Sequence, residues 1–564
     1  MTDAEWWRGA VIYEVYVRSF QDSDGNGIGD LAGVRARLNH VAELGADAVW
    51  LTPFYRSPMK DFGYDVSGFT EVDPMFGADA DFDALVEEAH ALGLKVIIDL
   101  VLSHTSDQHP WFVESRSGRE GPRADWYVWA DAKADGTAPN NWLSIFGGPA
   151  WEWDTTRQQY YMHNFLAAQP DLNFHEPEVQ DAVLGVARRW LERGVDGFRL
   201  DTVNFYFHDP ALTDNPVLDP ALRNANTAPS ENPYNWQEHL HDKTRPENLA
   251  FLRRLRALLD EFGAGGRARA TLGEVGESQR GSEVMADYTA GGDKLHMCYD
   301  FAFLAPDPPD AARVKTIIAG VQHAAADARG PGAGTGIETE TGTGGGAWPC
   351  WAFSNHDTVR HPSRWKMHEP EQIRLLAALL LSLRGSVCLY QGEELGLGEA
   401  HLPYEDIRDP YGLRLWPQFK GRDGCRTPMP WVHDAPHAGF SDARPWLPLA
   451  PEHVAHAVDV QEADPASVLH AYRRLLAFRR AHPALARGRL EMEEAPDPVV
   501  AFTRAEGNSR ILCAFNLSPE TRALRAPWDA HGLNGHGFSG RLIDGSLRLG
   551  PWDAYFGAEA PEAA

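Results

Sequence analysis

Eight short apolar runs, separated by helical patterns or long polar stretches, constrain this chain more than any other feature. They are VIYEVYV (11–17), ADAVWLTPF (46–54), KVIIDLVLSH (95–104), GVDGFRLD (194–201), ATLGEV (270–275), KLHMCYDFAF (294–303), CWAFSNHD (350–357) and SVCLYQGEE (386–394). Helical periodicity marks most of the intervals, as in DFDALVEEAHALG (81–93), PEVQDAVLGVARRWLERG (177–194) and EQIRLLAALLLSLRG (371–385). Short, nearly continuous apolar runs read as strands buried on both faces, and their alternation with helices is the pattern of parallel βα units. Eight such units predict an α/β fold, a (β/α)8 barrel. A doubly wound open sheet is the alternative that periodicity leaves open.

The third run is followed not by a helix but by residues 105–173, rich in Trp, Pro, Asp and Gly, which predict an inserted subdomain. Residues 209–248 and 395–450 form two further long polar insertions after the fourth and eighth runs. All three follow strand C-termini, the face on which barrel active sites sit, so together they would narrow that face into a pocket. A last helix, ASVLHAYRRLLAFRRAHP (466–483), precedes short alternating segments such as VVAFTRAEG and RILCAFNLS. The expected organisation is therefore a first barrel segment (1–104), an inserted subdomain (105–173), a second barrel segment (174–485) and a C-terminal antiparallel β domain (486–564). The low-complexity stretch RGPGAGTGIETETGTGGG (329–346) reads as a connection.

Composition excludes some partners. A net charge of −28 opposes binding to nucleic acid or to an anionic membrane surface. The five cysteines, Cys298, Cys350, Cys388, Cys425 and Cys513, are odd in number and contain no CxxC, so neither a disulfide framework nor a zinc site is expected. The start, MTDAEWWRGA, has no apolar leader core, and no run of about 18 apolar residues occurs. The expectation is a cytoplasmic monomer or weak homo-oligomer acting on small molecules.

Two groups of residues carry chemistry. In QDSDGNGIGDL (21–31), Asp22, Asp24 and Asn26 stand where an EF-hand loop has its first ligands, but Gly33 occupies the position of the bidentate Glu. The loop would hold a hard cation through oxygens without being an EF-hand. The second group lies at strand ends: Asp99 and His104 on the third, Arg199 and Asp201 on the fourth, Glu274 on the fifth, His356 and Asp357 on the seventh. Carboxylates at the ends of neighbouring strands suit glycoside hydrolysis, in which a retaining enzyme uses two carboxyl groups about 5–5.5 Å apart. Arg199, two residues before Asp201, points to the same side of its strand and would hold that carboxylate ionised.

The stretches DLVLSHTS, GFRLDTVNF, LGEVGE, FSNHD and QPDLNF occur in an order that resembles glycoside hydrolase family 13, the α-amylase family, and within it the α-glucosidase and oligo-1,6-glucosidase branch. The resemblance implies Asp201 as nucleophile, Glu274 as acid/base and Asp357 as a residue gripping sugar hydroxyls. It implies Tyr64, Asp65, His104, Arg199, His356 and Arg422 around the same subsite, with Asp65 and Arg422 clasping the non-reducing end. Glu277 is the rival to Glu274, and Arg426 the rival to Arg422. It also implies a structural Ca2+, with Mg2+ as the alternative, on Asp22, Asp24, Asn26, the Ile28 carbonyl and Asp30. Ser103 stands where many relatives carry Asn, which leaves an amylase-type calcium site outside the resemblance. Thr202 follows the nucleophile, where relatives cutting α-1,6 links typically have Val and those preferring α-1,4 links Thr or Ala.

The implied activity is that of an exo-acting retaining α-glucosidase on short α-glucosides, preferring α-1,4 links such as that of maltose and capable of transglucosylation. The alternatives are an oligo-1,6-glucosidase or a sucrose-acting or transglycosylating relative, such as a sucrose hydrolase or isomerase or a trehalose synthase. A non-catalytic transporter heavy chain of the same fold would carry a transmembrane helix and lack these carboxylates.

Overall fold

The computed structural model describes residues 3–263, 266–328 and 346–559. The connection expected at 329–346 lies outside the described residues except for Gly346.

Each of the eight apolar runs forms a strand: β1 Val11–Val15, β2 Ala48–Leu51, β3 Lys95–Leu100, β4 Gly197–Leu200, β5 Ala270–Val275, β6 Met297–Asp300, β7 Cys350–Ala352 and β8 Ser386–Tyr390. They pair in parallel in the order β6-β5-β4-β3-β2-β1-β8-β7. An isolated parallel bridge between Cys298 and Pro349 joins the two ends, which makes a barrel of the sheet and disposes of the open-sheet alternative.

Period-two alternation decides what faces inward. Ile12, Ala48, Trp50, Ile97, Leu272, Met297, Tyr299, Cys350 and Cys388 form one apolar cluster inside the barrel, closed below by Trp6, Trp7 and Trp348. The residues between them, such as Val11, Tyr13, Val49, Val96, Ile98, Phe198 and Leu200, belong to a second cluster under the helices. Those helices include Asp79–Ala91, Pro177–Glu192, Pro370–Ser382 and Val468–Ala481, close to the positions their periodicity predicts. Continuing the inward set toward the strand C-termini brings Glu14, Asp99, Arg199 and Glu274 to the top of the barrel, where the apolar filling stops.

The segment after β3 carries a three-stranded antiparallel sheet, Trp129–Ala130, Gln159–Met162 and Trp151–Asp154. The insertions after β4 and β8 are irregular, built from 3-10 turns and short helices. Beyond Arg489 the chain forms a five-stranded and a three-stranded antiparallel sheet. No helix among the described residues is long and apolar enough to cross a membrane.

Candidate active site

The register of β4 and β5 places Leu200 beside Gly273. One residue further, Asp201 stands opposite Glu274 on neighbouring strands, whose separation is about 4.7–4.9 Å. Between the two carboxylates lies Arg199, fully buried. Its Nη1 donates to Asp201 Oδ1 at 2.6 Å and to Asp99 Oδ1 at 2.8 Å, and its Nη2 lies 2.5 Å from Glu274 Oε1. Tyr299 Oη accepts from Arg199 Nη2 and donates to Glu274 Oε1, each at 3.0 Å. One guanidinium thus orients three carboxylates.

Burial sets the electrostatics of this group. It pushes Asp201 up to about 7 against the pull of Arg199, with Asp99 and Asp357 adding to the rise. It pushes Glu274 to about 7 as well, again against Arg199 and with help from Asp201 and Asp357. Asp99 rises to about 6 for the same first cause. At Asp357 burial is outweighed by His356, Arg422 and Arg426, which hold the carboxyl well below the usual range. Two carboxyls that titrate near neutrality can share one proton, as a nucleophile and an acid require; a third remains ionised beside them.

Thr202, next to the nucleophile, has φ 41° and ψ 49°, a left-handed conformation unusual for a β-branched residue. That turn aims its N–H at Glu274 Oε2, 3.1 Å away. Its hydroxyl is 3.0 Å from Ser103 Oγ, which is 2.9 Å from His104 Nδ1. Burial depresses His104 to about 4, so the ring is neutral. His104 Nε2 lies 3.0 Å from the Tyr64 carbonyl oxygen, which only accepts, so this nitrogen carries the hydrogen. The Gln169 amide nitrogen, 3.2 Å from the same atom, gives one of its two hydrogens to Asp61. Hydrogens then run in order from Thr202 to Ser103 to His104 Nδ1, which gives Ser103 a role the sequence did not suggest.

These groups line a cavity of about 420 Å³. Asp201, Thr202, Glu274, Asp357, Tyr64, His104 and Arg422 reach it, as expected. The insertion after β3 contributes Ile145, Phe146, Phe165 and Gln169; that after β4 contributes residues 225–231; that after β8 contributes Tyr411, Phe419 and Arg422. Two rivalries are decided by position. Arg422 lines the cavity, whereas Arg426 is fully buried behind Asp357, to which it donates at 2.7 Å. Glu277 is turned away, accepting from Thr244 Oγ1 and the Ser278 N–H.

Three expectations need correction. Asp65 does not reach the cavity: it is fully buried and accepts from Ser57 Oγ and the N–H groups of Lys60 and Asp61. Asp61 takes the place expected of it, receiving Arg422 Nη2 at 2.7 Å and Gln169 Nε2 at 3.0 Å. Arg199 and His356 stand behind the wall and are fully buried. The His356 ring stacks on Tyr64 with centroids 5.2 Å apart, and its Nε2 is 2.6 Å from Tyr64 Oη and 3.2 Å from Asp357 Oδ2. Glu14 pairs with the other ring nitrogen at 2.5 Å. Glu14, Asp61, Gln169, Tyr299 and Asp409 were not singled out from sequence. Glu14 had a signal, a carboxylate inside the otherwise apolar run VIYEVYV.

In the acidic loop the carboxylates of Asp22, Asp24 and Asp30 offer oxygens within 4.8 Å of one another. Asn26 Oδ1 accepts from the Ile28 N–H and its Nδ2 donates to Asp24. Asp30 also caps the helix Leu31–Ala36. Packing accounts for two of the loop's glycines: a Cβ on Gly27 would lie 2.2 Å from the Arg444 carbonyl oxygen, and one on Gly29 2.2 Å from that of Val17.

A family model for the alpha amylase catalytic domain matches residues 14–488. The chain is 59% identical over 558 residues to a probable alpha-glucosidase of Rhizobium meliloti, spanning 98% of this chain and 97% of that protein. It is 34% identical over 545 residues to an oligo-1,6-glucosidase of Parageobacillus thermoglucosidasius, spanning 93% and 92%. Among solved structures, an alpha-glucosyl transfer enzyme, XgtA, is similar with a TM-score of 0.92 at 49% identity, spanning 98% of this chain and 99% of that one.

Proposed function

The chain belongs to the α-amylase family and is a glycoside hydrolase, and on that premise we propose that it is an exo-acting retaining α-glucosidase. It releases α-glucose from the non-reducing end of short α-glucosides, prefers α-1,4 links, and can transfer glucose as well as hydrolyse. The observation that carries this reading is the Asp201–Arg199–Glu274 arrangement on adjacent strands, a spacing suited to double displacement.

Asp201 attacks the anomeric carbon while Glu274 donates its proton to the departing glycosidic oxygen. The Glu274 carboxylate so formed then takes a proton from water, which attacks the glucosyl ester and returns the α configuration. Asp357, held ionised by Arg422 and Arg426, accepts from sugar hydroxyls. The Asp61–Arg422 pair, backed by Asp409, supports exo action, since a closed far end would admit one non-reducing glucose.

The lining favours a neutral substrate. Its two cations are already committed, Arg422 to Asp61, Asp357 and Asp409, and Arg364 to the carbonyls of Phe303, Ala305, Phe353 and Val359. A phosphorylated sugar would find no free positive charge there. The apolar residues Phe146, Phe165, Phe205, Phe301, Leu304 and Phe419 support transfer as a second outcome of the same intermediate, because they disfavour water and offer contact to an acceptor alcohol.

The acidic loop is proposed to hold a structural Ca2+ or Mg2+ through Asp22, Asp24, Asn26, the Ile28 carbonyl and Asp30. Three gathered carboxylates fit a hard divalent cation. When bound, the cation would supply loop stability and no chemistry at the cleaved bond.

The test is product analysis on maltose, isomaltose, sucrose and trehalose, with proton NMR of the first sugar released. α-Glucose first, with maltose the best of the four, supports the reading. Initial β-glucose overturns double displacement, and isomerised or purely transferred products favour the transglycosylating alternative.

A further inference from the structure

We propose that Asp65 is a positioning residue for the site, acting through the loop that presents Asp61 to the cavity; the proposal rests on the glucosidase reading above. The loop from Ser57 to Tyr64 crosses the end of the pocket and supplies two lining residues, Asp61 and Tyr64. It does so in an unfavourable shape. Met59 has φ 61° and Phe62 φ 53°, left-handed conformations that a Cβ disfavours, and Gly63 has φ 113°. Such a backbone persists only where surrounding contacts over-determine it.

Asp65 supplies those contacts. Its Oδ1 accepts from Ser57 Oγ at 2.8 Å and from the Asp61 N–H at 3.0 Å, while its Oδ2 accepts from the Lys60 N–H at 2.9 Å. Ser57 Oγ in turn accepts from the Met59 N–H at 2.9 Å. One buried carboxylate therefore gathers one donor from before the strained segment and two from within it, and one of these is the backbone of Asp61 itself. The other face of the loop is pinned by the Phe62 ring, 5.3 Å from that of Trp446. With its backbone fixed, Asp61 can meet Arg422 Nη2 at 2.7 Å and Gln169 Nε2 at 3.0 Å. Arg422 also reaches Asp357, so loss of the loop's shape would be felt across the end of the pocket.

Asn is nearly isosteric with Asp but has one acceptor oxygen for three donors, and its amide hydrogens would confront an N–H. The experiment is a double-mutant cycle on the full chain with an aryl α-glucoside, using Asp65→Asn, Asp61→Asn and the pair. Asp65→Asn should lower kcat/KM by roughly ten- to a hundredfold, with KM for the glucoside and the inhibition constant for glucose rising together. The double variant should be no worse than Asp61→Asn, because both changes remove the same interaction. Additive losses would overturn the proposal, as would wild-type KM in Asp65→Asn; a purely structural defect would lower the melting temperature and the active fraction without moving KM. If Asp65→Asn does not fold, Ser57→Ala removes one donor and leaves the buried carboxylate its two backbone partners. A KM raised a few-fold there, absent in the Asp61→Asn background, supports the role, and an unchanged KM sinks it. Failure of the wild type on α-glucosides would instead refute the glucosidase reading.

Discussion

Replacing Thr202 by Val tests how linkage is chosen at the aglycone side. The two residues are nearly isosteric and both β-branched, so the left-handed backbone at this position is no worse for Val. The N–H that meets Glu274 at 3.1 Å is kept. What is lost is one hydroxyl, 3.0 Å from Ser103 Oγ and 3.3 Å from Asp201 Oδ2. Ser103 keeps its partner at His104, so no buried group is orphaned, and the common cost is one ordinary hydrogen bond, about 0.5–1.5 kcal/mol. That cost falls on the free enzyme and the transition state alike, so it lowers folding stability and cancels in kcat/KM. With two acceptors inside the protein for its one hydrogen, the Thr202 hydroxyl serves the cavity as an acceptor, and a neighbouring sugar hydroxyl that donates to it loses a second bond of similar size. The α-1,4 substrate is the one assigned that contact, so at tenfold per 1.36 kcal/mol the isomaltose-to-maltose ratio of kcat/KM should rise by roughly two- to thirteenfold. Initial rates of glucose release on the two disaccharides give the ratio. Ser103→Ala provides the control, breaking the chain to His104 without altering the cavity wall; it leaves the buried His104 Nδ1 without its donor, so it should lower the melting temperature and leave the ratio unchanged. An unchanged ratio in Thr202→Val, or an equal shift in Ser103→Ala, refutes the acceptor role.

Asp201→Asn should abolish turnover, with kcat down by several orders of magnitude, while glucose still protects against thermal unfolding, because the hydroxyl contacts of Asp357, Asp61 and Arg422 remain; near-normal turnover in a preparation checked by mass for deamidation would assign the nucleophile elsewhere. Chelation should lower the melting temperature by a few degrees while leaving room-temperature activity nearly intact, since a cation bound only to the folded chain adds stability by mass action; equal melting of treated and untreated samples would remove the metal from the acidic loop. Burial lifts the Glu393 carboxyl from 4.5 to about 8. The folded state therefore holds a proton that the unfolded chain releases, and the wild type should lose stability relative to Glu393→Gln as pH rises from about 4.5 to about 8. Melting curves of the two proteins across that window, with a difference that stays constant or grows in favour of the wild type, would refute the assignment.

The parts of this protein legible in its sequence are those where a regular backbone dictates side-chain direction. On a strand, neighbours alternate, so an apolar run ending in RLD or GEV announces which groups reach the barrel mouth, and Arg199, Asp201 and Glu274 are of this kind. Loops offer no such rule. Asp61 and Asp65 are four residues apart in one polar turn, and pattern favours neither. The left-handed residues Met59 and Phe62 turn one carboxylate outward to Arg422 and the other inward to the loop's own N–H groups. The partners that decide the matter are remote in the chain: Arg422 lies 361 residues from Asp61, and Gln169 lies 108. The same holds for Arg199 and His356, whose types suit contact with a sugar but whose positions are set by what stands in front of them. A fully buried guanidinium shared by Asp99, Asp201 and Glu274 exposes no face to a ligand. Its effect on the reaction must pass through the carboxylates it holds. A pocket that grips one glucose by short contacts needs such a layer, because carboxylates drawn this close repel one another and would drift apart without a cation and backbone donors fixed behind them.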